Sequence, residues 1–206
     1  LAPGLASYIA NDAATFRIIM SPYVSAADQA ALSAGTKDAE AIADEAVTKV
    51  MVSADELERH TLKCLSYLLA RGRLAFKIAL MRDALFHPKV WIFDVAAGKA
   101  AAHGSSNMTF AGVRKNKEQI SVSRGWADAT QRYIVEKLAD EFELLWRNRD
   151  PDCLVVDLTA ALRSRILRDY PAERAPTEDD FRALYRRADG GQYEMPAASV
   201  ASIAPK

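Results

Sequence analysis

The 206-residue sequence has few cysteines, no excess of either charge and no long apolar run. Cys64 and Cys153 are too few for a disulfide scaffold and lack the spacing of a zinc site. The 27 basic side chains balance the 27 acidic ones, which argues against broad non-specific attraction to nucleic acid or anionic membranes but leaves room for a local basic cleft. A transmembrane helix and a signal peptide are not expected. We therefore expect a cytoplasmic protein without a membrane partner.

Alternating strand and helix patterns predict an α/β fold. Half of the residues are hydrophobic, enough for a sizeable core. Strands are predicted over 15–20, 47–52, 74–81, 87–95, 100–103 and 118–123, and helices over 54–70 and 127–147. Ser53 and Glu56 have the spacing of a capping box at the start of the first of these helices. Such interleaving predicts a mixed β-sheet sandwiched between helices, and the short connections between 74 and 123 predict antiparallel pairs.

The sequence predicts a main domain followed by a C-terminal tail. Residues 1–150 carry the strands and are expected to form one domain. Residues 151–206 are expected to form a helical C-terminal extension, with helices over 154–168 and 177–187. Because the chain begins at Leu1 rather than Met and ends in "PAASVASIAPK", we expect it to be part of a longer protein with further domains.

Two polar residues stand out in the strand-like stretch "FHPKVWIFD" (86–94). His87 and Lys89 are two residues apart, so in a strand both point to the same face. A solvated edge strand would explain them if they stood alone. Downstream, however, Gly104 allows a close backbone approach and Asn107 supplies an amide donor. Glu118 is able to reach a histidine. A histidine, an ammonium, an amide and a carboxylate are the groups that phosphoryl transfer requires.

This pattern resembles the HKD signature of the phospholipase D superfamily. The signature residues are His87-x-Lys89, Asp94 and Gly104-Ser105-x-Asn107, and the stretch through Thr109, Gly112, Asn116 and Glu118 resembles the nuclease branch. The resemblance is specific over 86–123 and weaker back to residue 15. Nine residues separate Asp94 from Gly104, where the family usually has about six, and the extra residues fall at a predicted turn over 96–99, where length is tolerated.

The resemblance implies a role for each motif residue. His87 is implied as the nucleophile that forms a phosphohistidine, with charge neutralisation by Lys89 and Asn107. Glu118 orients the imidazole, Ser105 lines the site, and Asp94 and Gly104 are structural. No metal and no cofactor is implied. The family site uses two such motifs, and neither His60 nor His103 is followed by a lysine at the required spacing, so a homodimer must supply the second.

Other residues are candidates for contacts with nucleic acid. The basic cluster Arg114, Lys115 and Lys117 follows the glycine motif and is suited to a phosphate backbone, although a charge run is more often only a solvated surface. Ser21 and Tyr23 follow the first strand and are candidates for lining the cleft, the alternative being a loop serine and a packing tyrosine.

The resulting expectation is a metal-independent, homodimeric DNA nuclease of the kind attached to bacterial helicases or restriction enzymes. Two alternatives remain open: a catalytically inactive dimerisation or DNA-binding module, and a phospholipid headgroup hydrolase. The hydrolase is disfavoured because such enzymes of the superfamily usually carry two motifs on one long chain.

Overall fold

A computed structural model describes residues 15–54, 56–81, 84, 86–104, 119–175, 177, 179, 180 and 183. Within these ranges three helices follow the first strand, four strands come next, and the last two helices flank the sixth strand. The strands are β1 (Phe16–Met20), β2 (Leu74–Met81), β3 (Val90–Val95), β4 (Gly98–Gly104), β5 (Ile120–Arg124) and β6 (Cys153–Asp157). The helices are α1 (Ala26–Ala34), α2 (Ala39–Ser53), α3 (Glu56–Ala70), α4 (Ala129–Trp146) and α5 (Ala160–Asp169).

The first sheet has the strand order β1-β2-β6 and is mixed. β1 runs parallel to β2, with α1, α2 and α3 in the connection between them, and β6 is antiparallel to β2. One face packs on α2, α3 and α5, where Ile78 and Leu80 are buried with Leu68. On the other face Ala79 and Val155 pack against Leu145 of α4. Helices therefore cover both faces of this sheet, as the sequence predicts.

The second sheet is an antiparallel meander of β3, β4 and β5. The two-residue connection between β3 and β4 imposes an antiparallel pair, as the sequence predicts. β4 and β5 also pair antiparallel, although fifteen residues separate them in sequence. Gly98 begins β4 after the turn and has a φ of 125°, which favours glycine. The inner face of the sheet, where Ala101 and Ser123 are buried, packs on α4, which also contacts β6. One helix thus links the two sheets.

Residues 47–52 belong to helix α2, so the predicted strand there is wrong. The buried residues Ile42, Ala46, Val47 and Met51 recur at helical spacing, and this longer periodicity outweighs the local preference of Val and Thr for strands. Ser53 is the last residue of α2, and its hydroxyl donates to the carbonyl oxygen of Lys49 (3.0 Å). The predicted capping box is therefore wrong as well.

The segment after residue 150 contains a strand as well as a helix. The sequence predicts a helix over 154–168, but 154–157 belong to β6, which pairs with the buried strand β2. A short apolar run does not distinguish a buried strand from a helix. α5 begins after Thr159, whose hydroxyl accepts from the N–H of Leu162, and buries Leu162 and Ile166 in the main core. Residues 153–169 thus help to build the core of the first sheet.

The helix predicted over 177–187 falls largely outside the described residues. At its start, the N–H of Thr177 donates to the Asp180 carboxylate (2.8 Å), and the N–H of Asp180 donates to the Thr177 hydroxyl (3.2 Å). This reciprocal pair is a capping box. Within the described residues, none of the helices combines the length and apolar character needed to cross a bilayer.

Candidate active site

Phe86 fixes the start of the motif segment against the first sheet. Its half-buried ring packs against the cluster of Ala79, Cys153 and Val155. His87 follows directly and is exposed, while Lys89 is half-buried one residue before β3. The sequence interpretation did not single out Phe86, although an apolar residue directly before the histidine was a signal for such an anchor. The chain thus leaves the core at Phe86 and presents the next residue, the predicted nucleophile, to solvent.

The side chains of His87 and Lys89 are in contact, as predicted, although both residues lie before β3 rather than inside the strand predicted over 87–95. The Lys89 Nζ lies 2.6 Å from Nε2 and 2.8 Å from Nδ1 of the imidazole, and it also donates to the carbonyl oxygen of His87 (3.1 Å). The ammonium group of Lys89 therefore lies directly beside the imidazole of His87.

Gly104, the last residue of β4, lies next to the His87–Lys89 segment. Its N–H donates to the carbonyl oxygen of Lys89 (3.3 Å), and it lies opposite Ile120 in the ladder between β4 and β5. A Cβ atom at Gly104 would overlap with the carbonyl oxygen of Gln119, so the predicted close backbone approach is present. The start of β3, the end of β4 and the start of β5 therefore meet at one end of the second sheet.

The remaining motif residues adjoin this end in sequence. Position 105 follows directly after β4, and position 118 comes two residues before β5. The site residues that lie outside the described part of the chain are Ser105, Asn107, Arg114, Lys115, Lys117 and Glu118.

Asp94 lies at the opposite end of β3 from His87. Its carboxylate forms an ion pair with Lys99, its partner across the β3–β4 hairpin. The four strand steps from Val90 to Asp94 span about 13 Å, so Asp94 lies well along β3 from the end near His87. This placement supports a structural role for Asp94.

Ser21 and Tyr23 follow the carboxyl end of β1. Because β1 and β2 are parallel, their carboxyl ends share the sheet edge from which the chain continues towards Phe86. The Ser21 hydroxyl donates to the carbonyl oxygen of Pro22 (3.4 Å), and Tyr23 is exposed. Both are thus at the carboxyl edge of the first sheet.

Cys153 packs against Phe86 and carries a thiol, a group that acts as a nucleophile when it is deprotonated. Burial raises the pKa of its thiol to about 11, so the thiol stays protonated at neutral pH and is a poor nucleophile. The exposed imidazole of His87 is the better candidate for attack on a substrate.

The comparisons with known proteins agree with the motif. The family model described as "Cardiolipin synthase, PLD-like domain" matches residues 12–146. No curated protein and no solved structure matches the chain. The family match covers more than half of the chain and contains every motif residue from His87 to Glu118, and phosphodiesterase-type chemistry is typical of this superfamily. The chain therefore belongs to the phospholipase D superfamily, as a phospholipase D-like domain.

Proposed function

We propose that the chain is a metal-independent nuclease that cleaves DNA through a covalent phosphohistidine on His87 and acts as a homodimer. The observation that carries this proposal is the contact between His87 and Lys89 beside Gly104, at an exposed end of the second sheet. A nucleophile and a fixed positive charge side by side are what attack on a phosphodiester requires.

The reaction proceeds in two displacements at phosphorus. In the first, the lone pair of the His87 imidazole forms an N–P bond, the bond to one ester oxygen breaks, and the second copy's His87 protonates that oxygen. In the second, a water oxygen attacks phosphorus while the second copy's His87 takes the water proton, and the N–P bond breaks. The two histidines thus alternate between acid and base.

Lys89 and Asn107 stabilise the charge that develops on the non-bridging oxygens. Lys89 already lies against the imidazole, so a phosphate attacked by His87 also meets its ammonium group. Glu118 accepts from the other ring nitrogen and fixes the tautomer, as orienting carboxylates do. Ser105 lines the phosphate position. The roles of Asn107, Glu118 and Ser105 follow from the family resemblance.

DNA is the proposed substrate because basic residues surround the motif in sequence. Arg114, Lys115 and Lys117 follow the glycine motif and are suited to the phosphate backbone. Ser21 and Tyr23 extend the contact surface along the carboxyl edge of the first sheet. We also propose that the chain is one module of a restriction or helicase-type protein; a helicase or target-recognition domain encoded beside it is the observation that tests this context.

Cleavage of plasmid DNA in the presence of a chelator tests the proposed activity. The wild-type chain is expected to cleave, and His87→Ala to lose cleavage. His60→Asn is the matched control, because His60 lies on α3 outside the site, and it should cleave normally. An unchanged rate in His87→Ala contradicts the proposal. DNA binding without cleavage would instead favour an assembly module, and release of choline from phosphatidylcholine would favour a lipid hydrolase.

Replacement of Lys89 tests the charge-stabilising role separately. Lys89→Met keeps most of the side-chain volume and removes the ammonium, so cleavage should slow by about 10²- to 10³-fold. Lys49→Met removes an exposed ammonium that pairs with Glu45 on α2, and it should leave the rate unchanged. Equal rates for the two variants would exclude Lys89 from the reaction.

A further inference from the structure

His87 begins a three-residue span that is held at one point on each sheet. On one side, the half-buried ring of Phe86 packs on the first sheet. On the other, the carbonyl oxygen of Lys89 accepts from the N–H of Gly104 in the second sheet (3.3 Å). Pro88 stiffens the span, because its ring fixes its own φ and restricts the residue before it to extended conformations. The direction of the imidazole therefore depends on both attachment points.

Strand β6 builds most of the surface on which the Phe86 ring packs. This surface consists of Ala79 of β2 together with Cys153 and Val155 of β6, whose exposed fractions are 0%, 4% and 3%. Val155 lies opposite Ala79 in the ladder, and residues two apart in a strand share a face. Leu145 of α4 packs against the same three side chains. Two of the three buried side chains under Phe86 thus come from β6.

The connection that follows α4 fixes β6 along its outer edge. In the first sheet β6 is the edge strand beside β2, so the N–H groups on its other side need partners. The side-chain oxygen of Asn148 accepts from the N–H of Val155 (2.8 Å), and a carboxylate oxygen of Asp150 accepts from the N–H of Cys153 (2.9 Å). Both β6 residues under the Phe86 ring are therefore held through their backbones as well.

We propose that Phe86, Cys153 and Val155 are positioning residues that hold His87 in line for attack on phosphorus. This inference rests on the proposed function, in which His87 is the nucleophile. Cys153 and Val155 are buried, so they act on the reaction through the Phe86 ring. β6 lies beyond residues 12–146, which the family model matches. The C-terminal segment of the chain thus supports the nucleophile as well as completing the core.

The accuracy that a displacement reaction demands explains why such support matters. A reacting group displaced by about 1 Å can slow a reaction about 10²-fold. The His87 side chain is exposed, so its position depends on the backbone span that carries it. Loosening the Phe86 attachment should therefore lower kcat, while KM changes little because substrate contacts elsewhere remain. A ring that only stabilised the core would lower stability and leave the kcat of the folded protein unchanged.

Removal of the ring tests the positioning role. Phe86→Ala should lower kcat about 10²-fold and leave KM within about threefold of the wild type. Phe86→Leu keeps an apolar anchor and should recover most of the loss. Phe76→Ala is the matched control, because Phe76 is also half-buried but packs against the main core on the opposite face of the first sheet. It should lower stability only. Equal kcat values for Phe86→Ala and Phe76→Ala overturn the inference.

A pair of variants at Asn148 tests the support through β6 without emptying the core. Asn148 has a φ of 52°, which glycine adopts readily. Asn148→Gly therefore keeps the backbone but removes the acceptor for the N–H of Val155, and it should lower kcat by about threefold to tenfold. Asn148→Asp retains an acceptor oxygen and should keep the wild-type kcat. A wild-type kcat in Asn148→Gly overturns the role of β6.

Two substrates separate this inference from the proposed function. Rates are measured in the presence of a chelator with plasmid DNA and with bis(para-nitrophenyl) phosphate, a small phosphodiester that needs the nucleophile but no nucleic-acid surface. Hydrolysis of the small ester alone, slowed in Phe86→Ala, supports the positioning role and contradicts the nuclease. Cleavage of both substrates at the wild-type kcat in Phe86→Ala overturns the positioning role alone. A wild-type chain that cleaves neither substrate overturns both.

Discussion

Gly104 is the residue at which the fold and the site depend most closely on one another. Its N–H holds the carbonyl of Lys89, and the space where a side chain would project is occupied by the carbonyl of Gln119. His87 and Lys89 are thereby held next to the strand end from which the chain continues to Ser105. A glycine in a strand often marks such a close approach of two backbones.

Gly104→Ala should therefore impair both stability and activity. The added methyl group forces β5 away from β4, at a cost of about 3 kcal/mol, and displaces the segment that precedes Ile120. The free energy of unfolding, measured with urea, and the rate of phosphodiester cleavage are the two readouts. Gly35→Ala is the control: its φ of 66° costs about 1 kcal/mol, but nothing lies within 4 Å of the new methyl group, so cleavage should be unchanged. Wild-type stability in Gly104→Ala would contradict the packing described.

Helix α4 is the element that links the two sheets. Its middle buries Val135 near Gly125, against the second sheet. Towards its end, the stacked rings of Phe142 and Trp146 lie beneath the guanidinium of Arg17 from β1. The helix thereby connects the sheet that carries the site to the main core.

Val135→Ala should lower the free energy of unfolding by about 2 kcal/mol, because it removes two buried methyl groups and leaves a cavity. Leu144→Ala on the same helix is the control, since Leu144 is exposed, and it should change stability by less than about 1 kcal/mol. Urea denaturation of the two variants measures the difference. Equal losses would mean that α4 does not pack through Val135.

The ion pair between Arg17 and Glu143 (2.5 Å) predicts a pH dependence. The hydrogen bond from Arg17 lowers the pKa of the Glu143 carboxyl, so the pair stabilises the fold above the ordinary pKa of 4.5 and is lost as the pH falls through the lowered value. The pair is partly exposed, so Glu143→Gln should cost about 0.5 kcal/mol at neutral pH. Thermal melts of both proteins should converge once the pH falls below that lowered pKa. A difference that persists there would contradict this assignment.

Sequence periodicity predicts the elements with one clear pattern and fails where two patterns compete. β2 and α4 are predicted almost to their ends, because a buried eight-residue run and a long apolar stripe have few alternatives. Residues 47–52 and 154–157 are short apolar runs with β-branched residues, and only packing decides between helix and strand. At the site, the spacing of His87 and Lys89 predicts their contact, whereas the anchoring by Phe86 depends on β6, whose position no local pattern reveals.

For the molecule as a whole, the proposed reaction requires two copies of the chain. Each chain contributes one His87, and neither of its other histidines has a lysine two residues later. The core of one copy is completed by β6 and α5, beyond the residues that the family model matches. One chain thus has a complete core but only half of the proposed site.

Mixing wild-type and inactive chains should reveal this shared site. When equal amounts of wild-type and His87→Ala chains exchange partners, half of the wild-type chains enter mixed dimers. If mixed dimers are inactive, the activity of the wild-type chains should fall to about half. An equal amount of His60→Asn should add activity instead. Cleavage rates that are unaffected by His87→Ala would mean that each chain works alone.

The stereochemical course at phosphorus gives the sharpest test of a covalent phosphohistidine. A DNA substrate with one phosphorothioate of defined configuration, cleaved in water enriched in heavy oxygen and in the presence of a chelator, reports the number of displacements. Two in-line displacements through a phosphohistidine on His87 predict overall retention of configuration. Inversion, the result of one direct attack by water, would contradict the account.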